Sequence, residues 1–432
     1  MNLKLSIFGE RFSRRSGALE LMDDLGSALG GDSSALALGG GNPAKIPEVQ
    51  RYFSRRLAEV AADRREFERM LSDYAHPAGE LRFRRAVARL LSDHFGWPLT
   101  ARHVALTAGS QAGFFMLFNM LAGRHADGVL RRILLPVTPE YVGYTNLGLD
   151  DGLFTSRRPR IESLEGSFFK YYIDFDSIAL DDTIAAVCIS RPTNPTGNVI
   201  TDAELEQLDS LCRRQGVPLI IDSAYGVPFP GIVFTDATPL WNENVVLCMS
   251  LSKLGLPGAR TGIVIASEEI IESLTRITAI MSLAVGSVGP VLAQPLVESG
   301  QIIELSRRCI GPYYQAKAER TCRVLQNELT GLPFKIHRPE GAIFLWLWFP
   351  DLPITSAELY RRLKAAGVLV LSGHHFFPGL GSQTPWRHTD ECLRLSFAQD
   401  DEVVDRGVRI LADELRKVYG AGVRAGAARR HG

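Results

Sequence analysis

Residues 248–260, CMSLSKLGLPGAR, indicate which fold and site this chain of 432 residues builds. The apolar run 245–249 predicts a buried strand, and two serines, Lys253, a Gly/Pro-rich turn and Arg260 follow it. A lysine at the end of a buried strand is costly unless it reacts, pairs or loses its charge. We therefore expect Lys253 to form an imine with an aldehyde cofactor, while Arg260 binds an anionic group of that cofactor. The alternative is an ordinary strand-end lysine whose amine reaches solvent.

Four other predicted strands also end in residues that suit a ligand site. These strands and their ends are 104–106 with Ser110 and Gln111, 132–136 with Tyr141, 184–190 with Asn194, and 218–221 with Asp222 and Tyr225. Helical patterns separate the strands, which predicts a mostly parallel α/β sheet with its site along the carboxyl ends of the strands.

Each strand end suggests its own chemistry. The Gly-Ser turn before Ser110 predicts free N–H groups at a helix start, which bind phosphate, although a plain capped helix start has the same pattern. Tyr141 is placed to cover a flat heterocycle or to lie in the core. Asn194 stands between two prolines, so its amide is held for a hydrogen bond to a ligand oxygen. Asp222 ends a buried strand and needs a cationic or N–H partner, and Tyr225 follows it closely.

Two further segments predict contacts to a small substrate. Residues 36–43, LALGGGNP, form a Gly-rich turn around Gly40. Its bare backbone lets a substrate approach closely, although a plain turn explains the glycines equally well. Arg394 lies inside the apolar strand 392–397, where an arginine requires a carboxylate unless it sits on an exposed edge strand.

Composition excludes several classes of function. Lys+Arg and Asp+Glu both number 48, so no net charge recruits nucleic acid or an anionic membrane. Six scattered cysteines without a C-x-x-C motif indicate a reducing, cytoplasmic compartment, and no metal site is expected. The long charge-free run 277–297 contains glycines and prolines, which predicts a broken helix rather than a membrane span.

In this order the five strand ends make the chain resemble the pyridoxal-phosphate aminotransferases of the aspartate aminotransferase fold. The match runs from the Gly-rich N-terminal loop to Arg394. A closer likeness to one branch of that family is carried by residues 8–17 (FGERFSRRSG), 190–202 (SRPTNPTGNVITD), 224–232 (AYGVPFPGI) and 247–258 (LCMSLSKLGLPG).

The resemblance implies a role for each residue. Lys253 would bind pyridoxal 5′-phosphate covalently and move the proton, Asp222 would pair with the pyridine nitrogen, and Arg394 would grip the substrate α-carboxylate. The remaining implied contacts are the phenolic oxygen for Asn194 and Tyr225, the ring face for Tyr141, the phosphate for Ser110, Gln111, Ser250, Ser252 and Arg260, the partner subunit's phosphate for Tyr74, and the substrate for Gly40 and Asn194. The loop from Lys253 to Gly258 is one residue shorter than in aspartate aminotransferase itself.

The same resemblance implies the architecture. We expect a mostly parallel seven-stranded sheet in a large cofactor domain, residues 49–311, and a smaller α+β domain from residues 1–48 and 312–432. We expect a homodimer, and we expect residues 420–432 to be disordered. Three functions stay open: amino-group transfer within the branch just described; another enzyme of the scaffold, such as an aromatic or 2-aminoadipate aminotransferase or a C–S lyase; and a non-enzymatic effector sensor. The sensor is least favoured, because regulators of this fold carry a DNA-binding segment that we do not expect here.

Overall fold

The computed structural model describes residues 3–13, 35–381 and 385–428. The strands, in chain order, are β1 (Leu36–Ala37), β2 (Val104–Ala108), β3 (Gly123–Arg124), β4 (Leu130–Leu135), β5 (Phe154–Ser156), β6 (Arg160–Ser163), β7 (Phe168–Tyr172), β8 (Ile184–Ser190), β9 (Leu219–Asp222), β10 (Val245–Ser250), β11 (Thr261–Ile265), β12 (Lys335–His337), β13 (Phe344–Trp348), β14 (Val368–Leu369), β15 (Leu371–Ser372) and β16 (Cys392–Ser396).

The helices cover the faces of the sheets. In chain order they are α1 (Ile7–Phe12), α2 (Pro47–Ala62), α3 (Arg64–Leu71), α4 (Leu81–Phe95), α5 (Ser110–Leu121), α6 (Asp202–Gln215), α7 (Glu268–Ser282), α8 (Val288–Glu298), α9 (Gln301–Leu305), α10 (Gly311–Glu328), α11 (Ser356–Ala365) and α12 (Asp401–Ala428). Thr201 and Glu204 form a capping box at the start of α6, in which each side chain accepts a hydrogen bond from the other residue's backbone N–H.

The larger sheet is the predicted α/β sheet. Its strand order is β2-β11-β10-β9-β8-β4-β3, with β5 on the other side of β4. Strands β10, β9, β8, β4 and β5 pair in parallel, whereas β11 is antiparallel to both of its neighbours. The sheet has eight strands, one more than predicted. The additional strand is the two-residue β3, which is too short to give a sequence pattern.

Helices on both faces explain why the central strands are apolar throughout. Along β10 the side chains alternate between two apolar cores: Leu247 and Met249 pack in one, while Val246 and Cys248 pack in the other. A strand buried on both faces cannot show the alternation of a half-exposed strand. The apolar run of β10 therefore ends where the strand leaves the core, and Lys253 follows at that point.

A second, separate sheet has the strand order β15-β16-β13-β12-β7-β6. Strands β6 and β7 come from within residues 49–311, and β7 pairs in parallel with β12 through Phe168 and Phe169. The hairpin 160–172 therefore joins the sheet of the C-terminal part, which sequence-read boundaries did not predict. Strand β1 pairs with β14, as expected for an N-terminal segment that packs with the C-terminal part. The division at residues 48/49 and 311/312 stays a prediction.

The structure also describes the charge-free run 277–297 and the C-terminal helix. The run 277–297 is broken as expected, because α7 ends at Ser282 and α8 begins at Val288. Within the described residues, no helix combines the length and apolar character that crossing a membrane requires. Helix α12 is assigned to Ala428, and the disorder expected for residues 420–432 stays a prediction. Residues 429–432 lie outside the described residues.

Candidate active site

The carboxyl ends of β2, β8, β9 and β10 meet at one edge of the larger sheet, and their polar residues lie there together. Lys253 Nζ lies 5.2 Å from the ring centre of Tyr225. Arg394, from the second sheet, donates a hydrogen bond of 2.7 Å to the side-chain oxygen of Asn194. The structure thus joins residues that follow three different strands with one from the other sheet.

One end of this site is an anion cup. Helix α5 begins at Ser110 without a side-chain cap, so the backbone N–H groups of its first turn point into the cup. Arg260 lies beside it and donates to Ser252 Oγ at 3.4 Å and to the Pro257 carbonyl at 3.2 Å. A cation next to a helix N-terminus is suited to a phosphate group.

Gly109 is required at the position where the backbone of the cup approaches Arg260. Its φ of +82° favours glycine, and a Cβ at this position would overlap the Arg260 guanidinium. Ser250 accepts a hydrogen bond of 3.1 Å from the Ser252 backbone N–H and so holds the strand end in shape. Gln111 is different: its side chain donates to the Gly143 carbonyl at 2.9 Å. The side chain of Gln111 is thus committed to the loop after β4, and its backbone N–H is the group that faces an anion.

Asp222 forms the opposite end. Its two oxygens accept hydrogen bonds from the Tyr144 hydroxyl at 2.6 Å and from the Ala224 backbone N–H at 2.9 Å. Burial raises the pKa of Asp222 to about 6, and these two hydrogen bonds oppose the shift. Among the described residues Asp222 forms no ion pair, so a protonated ring nitrogen would supply its missing cation.

Lys253 lies between the cup and Asp222. Its amine donates to the Gly41 carbonyl. Desolvation, followed by the positive charges of Arg394 and Arg260, lowers the pKa of Lys253 to about 7. A large share of the amine is therefore neutral at neutral pH, which is the form that attacks an aldehyde.

Two tyrosines complete the walls. Tyr225 is buried, and its ring meets Phe344 edge-on at 6.0 Å. Tyr141 meets the ring of Tyr144 edge-on at 5.3 Å. Burial raises the pKa of both Tyr141 and Tyr225, so both hydroxyls stay protonated and can donate hydrogen bonds.

Arg394 is a buried cation with an unused hydrogen-bond donor. Besides Asn194 it donates to the Gly39 carbonyl at 2.6 Å, and its Nε, also buried, has no hydrogen-bond partner. The guanidinium lies 3.9 Å from the ring centre of Phe344 and 5.3 Å from that of Phe376. Burial lowers the pKa of Arg394 to about 10, so it remains charged. Within the described chain it forms no ion pair, which leaves the guanidinium available for a substrate carboxylate.

The remaining predicted residues have mixed outcomes. Gly40 is buried between Gly39 and Gly41, whose carbonyls accept from Arg394 and Lys253, so this turn positions both cations. The contact of Gly40 itself with substrate stays a prediction.

Tyr74 lies in the turn after α3 with 89% of its surface exposed, and its role in a partner's site also stays a prediction. Within the described residues, no group of three or more His, Cys, Asp or Glu side chains is arranged to hold a metal ion.

Sequence analysis missed three buried residues behind Asp222: Glu140, Tyr144 and Ser190. The Ser190 backbone N–H donates to Glu140 at 2.8 Å, and the Ser190 hydroxyl lies 2.6 Å from the other oxygen of that carboxyl. The hydroxyls of Tyr144 and Ser190 are 3.3 Å apart. The one available signal was an acid and two aromatic residues directly after a buried strand, in residues 139–144.

Comparison with known proteins agrees with this geometry. Residues 50–411 match the family model of aminotransferase class I and II. The chain is 47% identical to valine–pyruvate aminotransferase of Escherichia coli K12 over 96% of its own length and 99% of that protein. A crystal structure of valine–pyruvate aminotransferase from Salmonella typhimurium LT2 has a TM-score of 0.85 and 45% identity, covering 93% of this chain and 99% of that one. An amino-acid aminotransferase structure from Psychrobacter arcticum 273-4 has a TM-score of 0.94 and 41% identity, covering 97% and 100%.

The chain therefore belongs to the class I and II aminotransferases, and the predicted fold, enzyme class and cofactor are confirmed. The cofactor of the family is pyridoxal 5′-phosphate, and the residues present fit it. Lys253, whose lowered pKa leaves part of the amine neutral at neutral pH, suits an aldehyde. The cup of Ser110 and Arg260 suits a phosphate, and Asp222 suits a pyridinium.

Proposed function

We propose that this enzyme transfers an amino group reversibly between L-valine and pyruvate, giving 3-methyl-2-oxobutanoate and L-alanine. The observation that supports an amino-acid substrate is the buried guanidinium of Arg394, which lies beside Lys253 and forms no ion pair among the described residues. The choice of valine and pyruvate is supported by the likeness to the two valine–pyruvate aminotransferases named above.

The proposed roles follow from the positions of the side chains. Pyridoxal 5′-phosphate, when bound, supplies an electron sink for the pair left when the substrate Cα–H bond breaks. Lys253 takes the proton from Cα and returns it at C4′ of the cofactor, and Asp222 holds the proton on the ring nitrogen. Asn194 and Tyr225 hydrogen-bond the phenolic oxygen, and Tyr141 covers the ring. The phosphate is held by Ser110, Gln111, Ser250, Ser252 and Arg260.

Aromatic side chains hold Arg394 in position. Phe344 and Phe376 flank its guanidinium. Trp346 packs behind Phe376: the two rings meet at 5.6 Å, and the Trp346 indole N–H donates to the Tyr171 hydroxyl at 3.0 Å. Phe344, Phe376 and Trp346 are fully buried, so they support the guanidinium and expose no surface to a substrate side chain. The proposal of valine and pyruvate as substrates is therefore supported by the likeness to the two relatives.

The test is a half-reaction with single substrates. Cofactor-loaded enzyme is mixed with L-valine alone or L-alanine alone, and conversion of the bound cofactor to its amine form is followed by absorbance. We expect both to convert it, with L-glutamate and L-phenylalanine as matched comparisons. If only glutamate or the aromatic donor reacts, the enzyme is another aminotransferase of the same scaffold. Release of pyruvate and sulfide from L-cysteine would instead indicate a C–S lyase.

We further propose that the enzyme is a cytoplasmic homodimer. Exposed apolar side chains at the end of α7, namely Ile280, Met281 and Leu283, are 87%, 54% and 66% exposed, and such residues suit a subunit interface. Tyr74 is exposed in the single chain, as we expect for a residue that contacts the site of a partner subunit. The six free cysteines suit a reducing compartment. Sedimentation equilibrium of the active enzyme tests the dimer.

A further inference from the structure

Four buried side chains form one hydrogen-bonded chain behind the cofactor site, running from Asp222 through Tyr144 and Ser190 to Glu140. The Tyr144 hydroxyl lies 2.6 Å from Asp222 and 3.3 Å from the Ser190 hydroxyl. The Ser190 hydroxyl in turn lies 2.6 Å from Glu140. Tyr144 and Glu140 are 0% exposed and Ser190 is 3% exposed. These groups are closed to bulk water, so their hydrogens must be shared among themselves.

Counting the hydrogens distinguishes two states of Glu140. Each hydroxyl has one hydrogen to donate. If Glu140 is ionised, Ser190 donates to it and Tyr144 donates to Asp222, and the contact between the two hydroxyls then holds no hydrogen. If Glu140 carries a proton, it donates to Ser190, Ser190 donates to Tyr144, and Tyr144 donates to Asp222. Only the second state places one hydrogen in each of the three contacts.

The charges favour the same state. Among the described residues neither Glu140 nor Asp222 forms an ion pair, and two carboxylates in one buried network do not both ionise readily. Burial raises the pKa of Glu140 to about 8, against hydrogen bonds from the Ser190 hydroxyl and from the backbone N–H groups of Ser190 and Tyr141. The pKa of Asp222 rises only to about 6. Cys188, Cys248, Tyr141 and Tyr225 also interact with Asp222, and burial raises the pKa of each and keeps all four neutral.

We propose that Glu140 is a protonated acid that donates through Ser190 and Tyr144 and so keeps Asp222 as the ionised carboxylate that pairs with the cofactor ring nitrogen. Glu140, Ser190 and Tyr144 are positioning residues: they act through Asp222. The network also joins the loops of the site, because the Glu140 backbone N–H donates to the Phe376 carbonyl at 2.8 Å. The inference rests on the proposed role of Asp222, and its first test needs no cofactor.

The first test is infrared spectroscopy of the cofactor-free protein with isotope-labelled glutamate, at neutral pH. We expect a C=O stretch of a protonated glutamic acid in the wild type, lost in Glu140→Gln. A matched control is Glu358→Gln, because Arg362 lowers the pKa of Glu358 and keeps it ionised; this variant should retain the band. Absence of the band from the wild type, or its survival in Glu140→Gln, would overturn the proposal whatever the role of Asp222.

The second test is the dissociation constant of pyridoxal 5′-phosphate, with the pH dependence of the bound cofactor's absorbance. Tyr144→Phe removes the hydroxyl that donates to Asp222, while the Ala224 backbone N–H still donates, and should weaken binding about tenfold, the effect of one hydrogen bond to a charged group. Glu140→Gln keeps a neutral donor and acceptor and should bind within about twofold of the wild type. Tyr419→Phe, which loses a hydrogen bond to the Pro350 carbonyl elsewhere, serves as the control.

The outcomes are separable. If Glu140→Gln binds as weakly as Tyr144→Phe or fails to fold, Glu140 acts as a charged group and the proposal is wrong. If the infrared band is lost as expected but neither variant changes the cofactor, the hydrogen-bonded chain exists and the role given to Asp222 is wrong.

Discussion

The guanidinium of Arg394 donates a hydrogen bond of 2.7 Å to the side-chain oxygen of Asn194, two residues that are 200 positions apart in the sequence. This contact leaves the amide NH₂ of Asn194 free to face a ligand oxygen. The residue proposed to hold the substrate carboxylate thus also orients the residue proposed to hold the phenolic oxygen of the cofactor. We therefore expect substrate binding at Arg394 to affect the contact of Asn194 with the cofactor.

Replacing Arg394 with alanine should lower kcat/KM for every amino acid by a similar factor. Loss of a bidentate charged hydrogen bond to a carboxylate costs several kcal/mol, about 3, which corresponds to roughly a hundredfold or more in rate. Steady-state kinetics with valine, alanine and an aromatic donor measure it. Arg409→Ala is the control, because Arg409 is 63% exposed in a loose ion pair with Glu328. An effect confined to one amino acid would mean that Arg394 recognises a side chain.

Replacing Lys253 with alanine should abolish amino-group transfer. No other group at the end of β10 supplies an amine for the aldehyde, while the cup around Arg260 still binds the phosphate. Cofactor affinity should therefore fall without vanishing, as measured by equilibrium dialysis beside a turnover assay. Lys417→Ala, at a position where the side chain is 67% exposed, should behave as wild type. Normal turnover in Lys253→Ala would contradict the proposed chemistry.

The rate at which Lys253 reacts with the cofactor, here called cofactor capture, should rise with pH. The pKa of Lys253 is lowered to about 7 by burial and by the charges of Arg394 and Arg260. Because only the neutral amine attacks the aldehyde, capture should speed up as pH rises through about 7 and level off above it. Arg394→Gln removes one of the two charges and should move the midpoint upward. Stopped-flow mixing of cofactor-free enzyme with pyridoxal 5′-phosphate measures both midpoints; a midpoint unmoved by Arg394→Gln would show that the two cations do not interact.

Sequence predicted the residues that follow strands, and it failed where contacts depend on distant segments. Asp222, Lys253 and Asn194 were found because a parallel sheet brings strand ends to one edge. Glu140 resembles any loop acid until folding buries it against Ser190. The pairing of the hairpin 160–172 with β12 is equally non-local.

Gly109→Ala should weaken cofactor binding, because its Cβ would displace the Arg260 guanidinium from the cup. The chain offers a matched control in Gly128, which has nearly the same φ, +83° against +82°, but no atom within 4 Å of its Cβ position. Both substitutions place a side chain at positive φ and cost on the order of 1–3 kcal/mol of backbone strain, which thermal unfolding measures. Only Gly109→Ala should raise the dissociation constant of the cofactor, by about tenfold or more for a disturbed charged contact. Equal affinities in the two variants would show that Arg260 does not bind the phosphate.

Subunit complementation tests whether Tyr74 serves the neighbouring site. Tyr74→Ala should weaken cofactor binding, because the variant loses a hydrogen bond to the partner's phosphate, and Lys253→Ala should be inactive. In a mixed dimer the Lys253→Ala subunit contributes its Tyr74 to the site of the Tyr74→Ala subunit, which retains Lys253, so one complete site forms per mixed dimer. We therefore expect the two variants, unfolded and refolded together, to regain activity at cofactor concentrations where neither is active alone. Refolding the variants separately before mixing is the control. If Tyr74 contacts only its own subunit's site, or if the enzyme is a monomer, the mixture gains no activity over the sum of its parts.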